Sequence, residues 1–381
     1  MRVASHKPET DQMTKKNQKT ETETVETPAE EITATVTSSS KESGVLYLGI
    51  DLGTSRTSVS ASNGLRETVA SYVGYPKDVV ARKLLKKDVL FGDEAVENRL
   101  ALRFYRPLEH GVIKTTDNSS ADEHIKAAKD LIGEIIRQAK PRKDELVYAV
   151  IGAPAQASIH NKDAILEAAR EAVDSVMLCS EPFSVAYGLD MLDDVLVIDI
   201  GAGTTDLCRM HGTMPDESDQ LTTTYAGDWV DSKFAELLLE DFPEAQFTIQ
   251  MVKSMKERYG SVSDQAEPAI VTMPVNGKPT EFDVTEQLRE ACRGIVTPLV
   301  EGLGKLIGTF DPEFQDRLKD RVLLAGGGSQ IRGLDSAVQI EMHRILGGGK
   351  VIRIEEPIYG GANGALKIAH DMPAEYWEQL K

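Results

Sequence analysis

Two stretches of the chain share one hydropathy pattern. At 45–62, VLYLGIDLGTSRTSVSAS, and at 195–210, VLVIDIGAGTTDLCRM, an apolar run ends in an aspartate, passes through a short turn of Gly, Thr and Ser, and re-emerges as an alternating run. After the first turn Thr57, Val59 and Ala61 alternate with Ser58, Ser60 and Ser62; after the second, Thr205, Leu207 and Arg209 alternate with Asp206 and Cys208. A side-chain period of two belongs to a strand, so each stretch is predicted to be a β-hairpin. A dinucleotide-binding Gly-x-Gly would open a helix instead, and a P-loop needs Gly-Lys-Ser/Thr, which occurs nowhere in the chain.

Elsewhere the period switches between strand and helix. Positions 66–73 read as a third strand, followed at about 74–105 by a small insertion with short helices that carries Lys77, Arg82, Lys83, Lys86 and Lys87. Ile125, Ala128, Leu131, Ile132, Ile135 and Ile136 mark one helix face over 122–140. A strand is predicted at 146–152, a helix at 162–173, a strand at 175–179 and a helix at 182–189, with Pro182 in the permitted first turn. The second half repeats the plan. Its hairpin is followed by a strand near Leu221, helices at 228–239 and 251–259, a hairpin pair at 270–283 and a long helix at 284–307. A strand at 322–325 then runs through three glycines into a helix, and the last element is a glycine-bearing helix in EEPIYGGANGALKIA.

Strands alternating with helices predict an α/β fold with partly parallel sheets. The repeat predicts two related domains, 44–190 with 346–381, and 191–345. Positions 1–43 are rich in Thr, Glu, Lys and Ser and hold no Phe, Trp or Tyr, so they cannot bury enough to offset their ordering entropy and are predicted to be a disordered tail.

Length and composition narrow the function. A chain of 381 residues with 41% hydrophobic residues can build two cores. The net charge of −18, from 61 acidic and 43 basic residues without a basic stripe, argues against nucleic acid as the main partner. On so acidic a chain the basic insertion is either a solvated helix face or a contact surface for a neighbouring molecule. Cys179, Cys208 and Cys292 are isolated, with no CxxC, and read as small core residues in a reducing cytosol. No apolar run approaches the ~18 residues of a membrane span, and no signal-peptide core opens the chain, so a cytoplasmic protein without direct membrane insertion is expected.

The turns carry the candidate chemistry. Glycine lets the backbone approach a ligand, so successive N–H groups and the hydroxyls of Thr54, Ser55 and Thr204 can converge on phosphate oxygens. An aspartate before each turn, Asp51 and Asp199, suits a hydrated Mg²⁺ that the phosphates also hold. One such turn is common punctuation; two in related units imply facing hairpins around one nucleotide. Gly326, Gly327 and Gly328 after a strand make either a tight strand-to-helix turn or a bare surface for a flat adenine or ribose, and the two upstream turns favour the latter.

The set DLGTSRT, DIGAGTTD and LLAGGGSQIRGL, in this order and spacing, resembles the phosphate-1, phosphate-2 and adenosine motifs of the ATPase superfamily that holds actin, heat-shock chaperone ATPases and sugar kinases. The resemblance covers nearly everything after Ser43 and implies an actin-like fold: two ribonuclease-H-like domains around a cleft for ATP or ADP with Mg²⁺. Within that superfamily the length, the insertion with VGYPKDVVARKLL, and the stretches SEPFSVAYGLD, YAGD and PAEYWEQL are most similar to the MamK family of bacterial actins, whose filaments organise magnetosome chains. The resemblance thus implies a self-assembling cytoskeletal ATPase alongside magnetosomes, with magnetosome-associated adaptor proteins as partners.

It also implies roles residue by residue. Asp51 would hold Mg²⁺ through water, and Gly53, Thr54 and Ser55 would cradle the β-phosphate. Asp199 would be the second metal-side carboxylate and help place the attacking water, with Gly201, Gly203 and Thr204 on the other phosphate side. Glu181 would orient or activate that water; without the resemblance it reads as a first-turn acid on a helix. Lys256 and Glu257 would clasp ribose and adenine, and otherwise form an ordinary exposed pair. Gly227 and Asp228 match a Gly-Gly-Asp phosphate turn in which Ala226 replaces the first glycine, which weakens Asp228 as a site residue. The rivals on the same fold are a sugar-type small-molecule kinase, for which no sugar-binding loop or substrate base stands out, and a heat-shock chaperone, which would need a peptide-binding domain beyond Lys381.

Overall fold

Each predicted hairpin seeds a five-stranded sheet, and the two sheets have the same topology. The computed structural model describes residues 44–114 and 121–380; the tail at 1–43 lies outside the described residues. In the first sheet Val45–Leu52 pairs antiparallel with Arg56–Ala61, which pairs antiparallel with Arg66–Ala70; on its other side Val45–Leu52 lies parallel to Leu146–Ala153, which lies parallel to Ser175–Ser180. In the second sheet Val195–Ile200, Thr205–Met210 and Gln220–Thr223 make the antiparallel set, with Val322–Ala325 and Val351–Arg353 added in parallel. The second sheet therefore continues past 346, where the sequence reading returns the chain to the first domain.

Alternation along the central strands divides the core into layers. Leu46, Leu48 and Ile50 face one way, against helices Ala121–Gln138 and Ile159–Ala169. Leu196, Ile198 and Ile200 face the corresponding layer of the second half, built from Gly227–Asp241, Thr285–Arg293, Val296–Gly308 and Leu334–Leu346. The opposite faces of both sheets meet a shared layer. There Tyr148 and Val150 of the first sheet, and Val195, Val197 and Leu323 of the second, enclose helices Glu181–Gly188 and Gly360–Asp371 together with Trp377. Asp51 and Asp199 fall on this shared face, because they continue the odd-numbered side of their strands.

The two sandwiched helices approach as close as backbones allow. A β-carbon on Gly49 would lie 2.1 Å from the Ala362 carbonyl oxygen, and one on Gly364 would lie 1.7 Å from that of Ser184. Only bare backbone fits at these crossings, which fixes helix Gly360–Asp371 against the first strand and helix Glu181–Gly188 against Gly360–Asp371.

The departures from the sequence reading have local causes. The long helix at 284–307 is two helices that break at Gly294, where a β-carbon would come within 2.5 Å of the Trp229 ring. The strand at 66–73 ends at Ala70, because Ser71 turns its hydroxyl onto the Gly53 carbonyl (2.6 Å) and a separate strand, Val73–Pro76, begins the insertion. The helix expected from 162 starts at Ile159, capped by Ser158. In the insertion, helices Val79–Leu85 and Gly92–Glu97 pack with strands Val73–Pro76, Leu90–Phe91 and Leu102–Tyr105. Cys208 and Cys292 are buried, Cys179 is half-buried, and all three are free thiols. No helix among the described residues is long and apolar enough to cross a membrane.

Gly364→Ala is expected to force the two sandwiched helices apart and lower the unfolding free energy by about 1–3 kcal/mol, the usual cost of overpacking a close contact. Urea unfolding of the full chain measures this, and an unchanged midpoint would show that the crossing is not tight.

Candidate active site

The aspartates that end the two central strands hold equivalent places. Asp51 stands opposite Ser58 in its hairpin and beside Gly152, and Asp199 stands opposite Asp206 and beside Ala325. Each carboxylate is backed by a glycine: a β-carbon on Gly361 would lie 3.0 Å from Asp51 Oδ2, and one on Gly326 would lie 2.3 Å from Asp199 Oδ1. Gly361 belongs to the first turn of Gly360–Asp371, whose N-terminal N–H groups favour the charge on Asp51. Glu181 opens helix Glu181–Gly188, and its Cγ packs 3.3 Å from where a Gly152 β-carbon would be, so it stands next to Asp51.

A fourth carboxylate, which the sequence reading did not single out as a site residue, joins them. Asp206 is fully buried; its Oδ1 accepts hydrogen bonds from Ala155 N (2.9 Å) and Thr222 Oγ1 (2.6 Å), while its Oδ2 has no partner. Burial pushes the Asp51 carboxyl up to about 6. Burial, reinforced by the neighbouring carboxylates, holds Glu181 and Asp199 well above the usual range. Burial also raises Asp206, against the pull of its hydrogen-bond donors. Four carboxylates whose charge is disfavoured call for a cation. Carboxylates that stand close without forming a cage fit a divalent ion that keeps most of its own water.

The two turns approach one another above these acids. The second is closed by Gly201 N donating to Thr204 O (2.9 Å). Gly203 faces the first turn, where its β-carbon would lie 2.6 Å from Thr54 Oγ1, and Thr54 Oγ1 in turn accepts from Gly111 N (2.7 Å). Lys253 Nζ donates to Ser55 Oγ. The N-terminus of helix Gly227–Asp241 sits on the second turn, with Gly227 N on Gly201 O (3.1 Å) and Asp228 N on Ala202 O (2.7 Å).

On the far side Gly326, with φ of +77°, turns the chain over Asp199, and Gly328 presses on Ile200. Gly327 would meet nothing within 4 Å, so its bare backbone faces open space. Lys256 donates to Gly227 O (2.9 Å) and pairs with Asp231 (2.8 Å), while Glu257 pairs with Arg56 of the first hairpin (3.3 Å). All the site residues named from sequence line one cavity of about 350 Å³, within the range of small-molecule pockets. Lys256 and Glu257 are on its wall, but each is engaged by a protein partner.

Besides Asp206, sequence reasoning missed Lys253, Arg56 and Arg106. Asp206 was visible in the motif DIGAGTTD, and its register opposite Asp199 is the signal that marks it. Lys253 lies three residues before Lys256, hence on the same helix face. Arg106 lies in the aperiodic stretch RPLEHG, where nothing local announces its partner Asp228.

Residues 46–375 match the family described as MreB/Mbl protein. The chain is 40% identical over 335 residues to the actin-like protein MamK of Paramagnetospirillum magneticum (strain ATCC 700264 / AMB-1), covering 88% of this chain and 95% of that one. Among solved structures it is similar to the MamK double helical filament, with a TM-score of 0.83 and 39% identity over 87% of this chain and 100% of that one. It is also similar to a non-polymerising MamK mutant bound to AMPPNP, with a TM-score of 0.65 and 39% identity over 86% of this chain and 100% of that one.

The buried acids make stability depend on pH in a definite direction. A carboxyl raised by burial binds its proton more tightly folded than unfolded, so its penalty is absent below the ordinary carboxylate value, builds as pH rises from there towards about 6 for Asp51, and is fully present above that. Asp51→Asn is therefore expected to stabilise the ligand-free protein at pH 7.5, by up to about 3 kcal/mol, and to leave it nearly unchanged at pH 3.5. Denaturant unfolding at both values measures this. Equal effects at both would mean that Asp51 charge carries no penalty.

Proposed function

Because this chain belongs to the MreB/Mbl protein family and has the actin-like fold of its solved relatives, we propose that it is an ATPase that assembles into filaments with copies of itself. The observation that carries this reading is the one cavity that both hairpin turns, the glycine triplet and three of the buried acids, Asp51, Glu181 and Asp199, line together. The solved MamK filament and the AMPPNP-bound MamK mutant support self-assembly and adenine-nucleotide binding.

Bound ATP with Mg²⁺ would supply the scissile phosphoanhydride bond and a charge that offsets the buried acids. The backbone N–H groups of the turns at 53–55 and 201–204, with the hydroxyls of Thr54, Ser55 and Thr204, donate to phosphate oxygens. Asp51 and Asp199 would hold the cation through its water. Glu181 accepts a hydrogen bond from the attacking water, and burial together with the neighbouring carboxylates makes it a stronger base than a free glutamate. Positioning and charge stabilisation of this kind are most of what phosphoryl transfer asks of a protein. The bare backbone of Gly327 faces the adenosine. The sheets are read as the cores of two domains whose closure over nucleotide couples hydrolysis to assembly. The filament is proposed to lie in the cytoplasm alongside magnetosomes and to meet adaptor proteins there, as the likeness to MamK suggests.

With ATP or AMPPNP and Mg²⁺ the full chain is expected to sediment as filaments, with disassembly as ATP is consumed. Glu181→Ala is expected to cut phosphate release about a hundredfold or more, the range for loss of a general base, while sedimentation persists and filaments outlive those of the parent. Parallel loss of both would remove Glu181 from the chemistry and make it a structural residue. Turnover of ATP without sedimentation at any salt would overturn the filament reading.

A further inference from the structure

We infer that Arg106 is a positioning residue that ties the two phosphate turns together across the cleft. The inference rests on the nucleotide-binding reading of the cavity for its use, though the bridge itself is a feature of the fold. Arg106 Nε donates to the Thr54 carbonyl (3.0 Å), within the first turn, and Arg106 Nη2 donates to both oxygens of Asp228 (2.9 and 2.8 Å), in the first turn of helix Gly227–Asp241. That helix is anchored to the second turn, because Asp228 N donates to Ala202 O (2.7 Å) and Gly227 N to Gly201 O (3.1 Å). One guanidinium thus links Thr54 to Ala202 through Asp228.

The chain around Arg106 forms a wedge between the turns. His110 Nδ1 and Gly203 O are 3.0 Å apart, and Gly111 N donates to Thr54 Oγ1. To make these contacts His110 and Gly111 both take positive φ, +50° and +71°, and Gly111 packs where a β-carbon would strike Pro154 at 2.2 Å. A non-glycine residue held at positive φ is sustained by its surroundings, here by the contacts on both turns.

Another ion pair also crosses the cleft. Arg56 and Glu257 stand 3.3 Å apart with roughly half of each side chain exposed (49% and 41%), so solvent screens them. Arg106 and Asp228 are less exposed (28% and 35%), and the planar fork of arginine fixes direction as well as distance. If the turns separate, the fork cannot hold a carbonyl on one side and a carboxylate on the other. The motif Tyr225-Ala226-Gly227-Asp228 then has an explanation: its acid anchors Arg106 rather than approaching phosphate.

Hydrogen exchange on the full chain without nucleotide tests the bridge. In Arg106→Gln the amides of Gly111, Gly227 and Asp228 are expected to lose protection together, although the last two are not on the mutated segment. Asp228→Asn is expected to do the same, and the double variant to add little, since both remove one link. Arg106→Lys, which keeps charge but not the fork, is expected to resemble Arg106→Gln, and near-ultraviolet circular dichroism checks that the variants are folded. Dissociation of a fluorescent ATP analogue is expected to be about tenfold faster in the variants, the scale of one charge-assisted hydrogen bond. Loosening confined to Gly111, or parent-like exchange in Arg106→Lys, overturns the bridge. A parent protein that binds no analogue sinks the nucleotide reading instead, and exchange still decides the bridge.

Discussion

Buried negative charge between two sheets is the constraint on which the structure turns. Asp51, Glu181, Asp199 and Asp206 come from four strands or helix starts, and burial works against the ionised form of each. A fold that holds such a group together must hold it rigidly. Here that is done by backbone crossings too close for any side chain, at Gly49, Gly326 and Gly364, and by a sandwiched pair of helices. Whatever cation relieves the charge also favours the arrangement that presents the acids to it, so binding and cleft geometry are linked by one free energy.

The hairpins, the strand Val322–Ala325 and the equivalence of the two sheets were legible because each is written in local periodicity and in a repeated turn. Convergence on one cavity was legible from the pairing of motifs rather than from any one of them. What escaped has a common cause, dependence on contacts far along the chain. Gly294 breaks a helix because Trp229 occupies its flank, and Arg106 matters because Asp228 stands opposite it. Neither partner is visible from local spacing. Asp206 is the exception: it lay within a recognised motif, and strand register alone gives it a place beside Asp199.

The contacts across the cleft also bear on assembly. Arg56 with Glu257, Lys253 with Ser55 and Arg106 with Asp228 all join the segments that carry the first turn to helices of the second half. A molecule with net charge −18 that packs against copies of itself works against its own repulsion, so any contact that fixes its shape beforehand lowers the ordering that association must supply. The exposed Val79, Val80 and Leu84 share their helix and its flanks with Lys77, Arg82, Lys83, Lys86 and Lys87, so this segment shows apolar and basic side chains on an otherwise acidic chain.

Helix Gly360–Asp371 has a consequence for how the protein is made. It covers the strand Val45–Leu52, contributes the glycine that backs Asp51, and locks helix Glu181–Gly188 in place, yet it is nearly the last of the described elements. While a ribosome is still translating the second half, helix Glu181–Gly188 is already present, but the strand Val45–Leu52 lacks its cover on the inner face. A nascent chain can pair its early strands but cannot complete the nucleotide pocket, and long-range closure of this kind is slow. Polymerisation, if it requires that pocket, is thereby withheld from partly made chains without any separate safeguard.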